Sequence, residues 1–360
     1  MKKLDWYILK KFLITFFYCV VLFNIISVAI DTSEKTDDFV KSGLTSKQIF
    51  LQYYLGFIPH ITGLLFPLFV FIAVIFFTSR MASRSEVIAI LSSGTTYLRY
   101  LRPYFIGGIF LSVLLWLGTA FVIPKANVLR TTFESKYIDN PFSTSGNNLN
   151  YYLKTDPNTY VGFRYYDTAF KSSSSFFLDY LKDDQLSYFI RSESMRWDTI
   201  ARKWKLQTVN IRTIDGLKET VRVLPDTLVD LGFKPEELTK DEYLKDKLTT
   251  PALARFISRE EGRASERVRE FQLERYRRDA RSASVLILTL IGAVIASRKI
   301  RGGSGVHLAL GLLLAASYIL TDRFSFVFSI KGNLHPLIAS WLPNVLFGAI
   351  AIWLYKKAPK

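Results

Sequence analysis

Tyr54-Leu-Gly-Phe-Ile-Pro-His-Ile-Thr-Gly-Leu-Leu-Phe-Pro-Leu-Phe-Val-Phe-Ile-Ala-Val-Ile-Phe-Phe77 contains no Asp, Glu, Lys or Arg. A helix that crosses a hydrocarbon core of ~30 Å needs about 20 such residues, and a helix satisfies its own backbone polar groups there. This stretch predicts a membrane-spanning helix. Working outward, five more apolar stretches run from Phe12 to Ile30, Tyr104 to Ile123, Ala283 to Ala296, Val306 to Leu320 and Leu334 to Tyr355. The stretches starting at Ala283 and Val306 are the shortest and draw on flanking residues. Three stretches precede a long polar insert and three follow it. The expected fold class is an α-helical integral membrane protein, six transmembrane helices in a 3+3 arrangement, with an inserted domain. Lys2, Lys3, Lys10 and Lys11 precede the first stretch, and Ser27-Val28-Ala29 resembles a cleavage site. Its apolar length exceeds the ~7–15 residues of a signal core, so it reads as an uncleaved anchor.

Charge placement orients the chain. With the N-terminus inside, the short inner segments hold Lys2, Lys3, Lys10, Lys11, Arg80, Arg84, Arg99, Arg102, Arg298, Lys299, Arg301, Lys356, Lys357 and Lys360. The short outer ones hold Lys35, Lys41, Lys47, Arg323 and Lys331. The positive-inside rule therefore predicts both termini in the cytoplasm and the insert, from about Pro124 to Arg281, outside. The net charge of +16 is explained by this placement at span ends, so no nucleic-acid partner is expected. Cys19, as the single cysteine, excludes an intramolecular disulfide and a cysteine zinc cluster. His60, His307 and His335 show no ligand spacing, and neither metal nor cofactor is expected.

The insert divides into a β part, 124–250, and a connecting basic helix, 251–282. Short segments rich in aromatic and β-branched residues start at Asn150, Tyr160, Phe176 and Leu186, separated by Thr155-Asp-Pro-Asn and Lys171-Ser-Ser-Ser-Ser. Alternation puts Trp204 and Leu206 on one face and resumes out of phase at Val209 and Ile211, predicting a bulge near Gln207. Strands at this spacing predict an antiparallel sandwich or open jelly roll. Its core is either dry or a sheet face that holds an apolar ligand; the residues leave both open. Beyond Pro251, Arg255, Arg259, Arg263 and Arg267 recur every fourth residue, followed by Glu266, Glu270 and Glu274. One reading is a solvated, salt-bridged helix feeding span four. The other is that its last cations, Arg275, Arg277, Arg278 and Arg281, meet lipid phosphates, which guanidinium forks suit.

Between spans two and three, Ser83-Arg-Ser-Glu86 has the form of a capping box, Val87 to Leu91 is an apolar run, and Gly94 stands where a helix would end. This predicts a helix over about 83–94, apolar on much of its surface. Such a helix has to bury against something: its own spans, the membrane interface, or the groove of a soluble partner. The chain has no phosphate-cradling G-x-x-x-x-G-K-[ST] loop, and the Gly302-Gly-Ser-Gly turn lacks the following Lys. Its spans hold almost no ionisable residue, whereas ion-coupled carriers need intramembrane carboxylates. No nucleophile–base constellation stands out. The chain is therefore not expected to energise transport itself.

These pieces together resemble the LptF/LptG (YjgP/YjgQ) family of permeases for lipopolysaccharide export. The resemblance rests on Leu4-Asp-Trp-Tyr-Ile-Leu-Lys-Lys-Phe-Leu, on Ser85-Glu86-Val-Ile-Ala-Ile-Leu-Ser-Ser-Gly94 with Arg102-Pro103, and on Val122-Ile-Pro-Lys-Ala-Asn127. Arg277-Arg278, Ser297-Arg-Lys-Ile-Arg-Gly-Gly303 and Tyr318 complete it, so that it covers essentially the whole chain. It implies an inner-membrane subunit of an ATP-driven transporter, with lipopolysaccharide as cargo. The partners implied are a second permease subunit of this type, a cytosolic ATPase dimer and a periplasmic bridge protein. The expected coupling residues are Ser83, Glu86, Val87, Ile90, Leu91 and Gly94, with Glu86 matching the family's coupling acid. Lys35, Lys41, Arg277, Arg278 and Arg281 are expected to ring the mouth of a lipid cavity. Ala280-Arg-Ser-Ala-Ser stands where many members have a proline, which predicts a less kinked start to span four. The competing expectations are a membrane-anchored ectodomain with an assembly or signalling role, and a self-energised carrier.

Overall fold

The computed structural model describes residues 3–138, 151–156, 158–167, 170–182, 185–216, 218–238, 243–262, 268–298 and 304–358. It divides into a helical unit (residues 1–133, 245–254 and 269–360) and a β unit (residues 134–244 and 255–268).

In the helical unit, α1 (Lys3–Glu34) is followed by the short α2 (Thr36–Lys41). Then come α3 (Leu55–Ser83), α4 (Glu86–Ser92), α5 (Tyr97–Leu117) and α6 (Ile123–Phe133). Among the described residues, six helices are long and apolar enough to cross a membrane: Lys3–Glu34, Ser46–Ser83, Tyr97–Ile138, Val268–Ala296, Gly305–Lys331 and Pro336–Lys356. Their interior is aromatic: Phe12 and Phe16 of α1, Phe69 of α3, and Tyr100 and Tyr104 of α5 are almost wholly buried in one cluster. Several polar groups inside the helical unit are paired, which offsets their desolvation in a low-dielectric interior. Thr78 donates to the Tyr104 hydroxyl at 2.9 Å, Thr62 donates to Asn24 at 3.0 Å, and Ser112 donates to the Ser282 carbonyl.

Among the described residues, the strands of the β unit form one antiparallel eight-stranded sheet. Its strands are β1 (Tyr151–Asp156), β2 (Thr159–Asp167), β3 (Ser172–Lys182), β4 (Gln185–Asp198), β5 (Lys203–Gln207), β6 (Val209–Asp215), β7 (Lys218–Leu224) and β8 (Thr227–Val229). The order is β1-β2-β3-β4-β5-β8, and β6 pairs with β4 and β7. The sheet forks at β4, whose Ser194–Asp198 half pairs with β5 and whose Tyr188–Arg191 segment pairs with β6. The fork is where alternation changes phase: Thr208, at φ 52°, separates β5 from β6, one residue beyond the expected position. Trp204, Leu206 and Val209 all face the core, with Phe163, Phe176 and Met195.

One expectation needs correction here. The serine run Ser172–Ser175 is not a separator but the start of β3. Neighbouring strands on both sides supply its backbone partners, and Ser173 donates to the Arg164 carbonyl at 2.8 Å, so pairing overrides the low strand preference of serine. Gly162 of β2 lies opposite Phe177 of β3, whose ring fills the space a side chain there would need. Of the basic segment, the described residues form α7 (Thr250–Gly262) and α8 (Val268–Ala296), the latter running unbroken through Ala280–Ser284 into span four. No proline or glycine stands there to stop it. Two helices complete the chain, α9 (Ser304–Lys331) and α10 (Pro336–Lys356). Asn150, Arg263, Glu266, Arg267 and the Gly302–Gly303 turn lie outside the described residues.

Candidate functional site

The loop between α3 and α5 is built differently from a capping box. α3 continues through Ser83, whose hydroxyl donates to the Arg80 carbonyl at 2.9 Å. Ser83 is therefore committed to the preceding helix and does not cap the next one. The chain breaks over Arg84 and Ser85, and Ser85 precedes α4 in the left-handed region at φ 60°. α4 then has only seven residues. Glu86, freed from the box, accepts from the Tyr7 hydroxyl of α1 at 3.4 Å. Beyond α4, the Gly94 amide donates to the Leu91 carbonyl at 3.2 Å with φ 82°, where an L side chain would cost roughly 1–2 kcal/mol.

The two faces of α4 have separate jobs. Val87 is 1% exposed and packs into the aromatic cluster, with Ile90 and Leu91 partly buried beside it. Residues three and four apart share a helix face, so these three form one inward stripe. The opposite side carries Ile88, 50% exposed, with Ala89 and Ser92 also exposed. Of the coupling residues read from sequence, Val87, Ile90 and Leu91 hold the helix onto its own bundle. The outward apolar side chain is Ile88.

The five cations expected at a lipid-binding mouth have different surroundings. Arg278 is 3% exposed and fully engaged: it donates to Glu274 (3.2 Å), Thr250 Oγ1 (3.1 Å) and the carbonyls of Leu248 (2.9 Å) and Lys245 (2.8 Å). Lys35 pairs with Asp31 at 3.1 Å and donates to the Tyr53 hydroxyl. Arg277 pairs with Asp322 at 2.5 Å and lies over the Phe326 ring, 5.0 Å from its centroid. Arg281 has no hydrogen-bond or ion-pair partner among the described residues, and neither has the exposed Lys41. Arg277 and Arg281 share a cavity of about 110 Å³ with Arg323, Asp322 and Tyr318, walled by Leu64 and Leu68 of α3. Lys35, Lys41 and Arg278 are not part of its lining. The α8 side of this region is anchored by Asn344, which donates to the Ala280 carbonyl at 2.6 Å and accepts from the Tyr318 hydroxyl at 3.1 Å.

Apolar helices with a short loop helix between the second and third and a β insert after the third invite comparison with known families, and residues 6–357 match the family described as lipopolysaccharide export system permease LptF/LptG. The chain belongs to that family. No curated protein matches it. As a member of the LptF/LptG family it is a multi-pass inner-membrane permease of lipopolysaccharide export, and the permeases of this family are non-catalytic transporter subunits.

Sequence reasoning did not single out Ile88, Tyr7 or the Asp322–Arg323 pair, which the structure places beside the residues it did. The pair carried a signal, since two adjacent charges interrupt the apolar run of α9. Ile88 carried none, because every residue from Val87 to Leu91 is apolar and only packing distinguishes them.

Proposed function

We propose that the chain is a membrane subunit of an ATP-driven exporter that extracts lipopolysaccharide from the inner membrane and passes it to a periplasmic bridge. In this reading three spans lie on each side of a periplasmic β domain of jelly-roll type, and both termini are cytoplasmic. The subunit pairs with a second permease of its kind, and a cytosolic ATPase dimer docks on α4. The reading rests on one observation: α4 is clamped to its own bundle by Val87, Ile90 and Leu91 while Ile88 stays uncovered. A helix held on one face and open on the other can carry a push from a soluble partner into the spans. Glu86, beside Tyr7 of α1, would carry it to the first span.

On the opposite side, Arg281 is proposed to take a phosphate of the lipid headgroup, with Arg277 and Arg323 beside it and Lys41 contributing from α2. Charge-assisted contacts of this kind contribute ~1.5–3 kcal/mol each. Lys35 and Arg278 are given structural roles by the partners they already hold.

The test is Ile88→Asp. Its side chain is half exposed, so the subunit should still fold, while recovery of the ATPase on purification falls roughly tenfold or more. Ile90→Asp is the poorer probe, because Ile90 packs inward and its loss would disturb the bundle itself. Full ATPase recovery with Ile88→Asp would remove α4 from the coupling path.

A further inference from the structure

We propose that a groove on the bilayer-facing side of α5, α8 and α10 is a binding site for an anionic phospholipid, with Arg102 holding its phosphate. The groove has a volume of about 460 Å³, and its walls include Phe105, Ile106, Leu290 and Ile352, with Arg102 and Tyr355 completing it. That volume lies within the ~300–1,000 Å³ of pockets that hold small molecules.

The start of α5 and the ends of α8 and α10 meet at one end of the bundle. Tyr97 bonds Ser297 at 3.0 Å, and the Tyr97 and Tyr355 rings lie 6.1 Å apart. Arg102 and Tyr355 belong to this end of the groove, while Phe105, Ile106, Leu290 and Ile352 carry it toward the middle of the bundle. The gradient is that of a phospholipid, with a charged headgroup at the interface and a chain running inward.

The observation that points to an anion is Arg102 itself. Its guanidinium is exposed and has no hydrogen-bond or ion-pair partner among the described residues, although apolar side chains flank it on the same helix. A cation on a lipid-facing wall is costly unless it reaches the interface and finds a counter-charge, and phosphates are the anions there. A guanidinium can bind a phosphate through two parallel hydrogen bonds. The proposal needs only that α5, α8 and α10 cross the bilayer, and is independent of the lipopolysaccharide reading.

The experiment places the full-length subunit in nanodiscs of phosphatidylglycerol and phosphatidylcholine in equal parts. The lipid retained after detergent extraction and gel filtration is then quantified by mass spectrometry. The native protein should retain phosphatidylglycerol in preference, and Arg102→Gln should lower that retention roughly tenfold, the factor one lost charge-assisted contact carries. Ile106→Trp should displace the chain and lower retention of both lipids; if it does not fold, Ile352→Phe blocks the same groove. A photoreactive benzoylphenylalanine in place of Phe105, whose aromatic side chain already lines the groove, should label lipid. The proposal is overturned if the native protein retains both lipids in bulk proportion, if Arg102→Gln keeps full preference, or if the Phe105 label is found on protein.

Discussion

The β unit and the helical unit solve opposite burial problems. In the β unit the core is apolar and continuous: Trp204 is 0% exposed, packed on Trp197, Phe233 and Tyr166, and β7 is exposed along its whole length. In the helical unit large apolar side chains such as Leu22, Ile25 and Val345 point outward, while Thr78, Arg278 and Asn344 are buried with partners. Water drives the first arrangement. Lipid is as apolar as leucine and offers no such drive, so close packing and polar pairs hold the second. Identical substitutions should therefore have different effects in the two units.

The largest expected effect is in the β unit. Trp204→Ala removes a buried indole and orphans the Phe233 carbonyl, to which Nε1 donates at 2.8 Å. The cost is ~3–5 kcal/mol, enough to unfold a marginal domain. Limited proteolysis of the detergent-solubilised protein should then cleave within residues 151–229 and spare the six long helices. Protease resistance equal to that of the native chain would show that the indole is not the keystone of this core.

A smaller loss, about 3 kcal/mol, is expected from Arg278→Met, which conserves apolar bulk but leaves Glu274 and two backbone carbonyls without their donor. Arg278→Lys should not restore it, because a single ammonium cannot span four acceptors. The readout is the thermal midpoint of the solubilised subunit. A Met variant as stable as the native protein would mean that burial alone, rather than pairing, holds the start of α8.

The smallest change tests the inside-out rule directly. Val345 is 66% exposed on α10, and Val345→Ala should shift stability by less than about 0.5 kcal/mol in detergent or bilayer. A shift of ~1 kcal/mol or more, as a buried valine would give, would mean that this face is covered by protein in the assembled state.

Much of this architecture was legible in the sequence because it depends on local pattern. Length and apolarity mark the six helices, since a bilayer imposes a minimum span on any chain. The phase change between Leu206 and Val209 marks the fork in the sheet, since side-chain alternation has a period of two. Gly94 marks the end of the loop helix through its positive φ. What the sequence could not determine were choices made by neighbours distant in the chain. Val87 and Ile88 are chemically alike, yet α5 and the end of α3 bury the first and leave the second open. Arg278 and Arg281 sit one turn apart on α8, yet the segment around Lys245–Thr250 engages only the first. Ser172–Ser175 became strand because β2 and β4 flank it. Local pattern decides which elements form; the commitment or freedom of a given side chain depends on surfaces that exist only once the chain has folded.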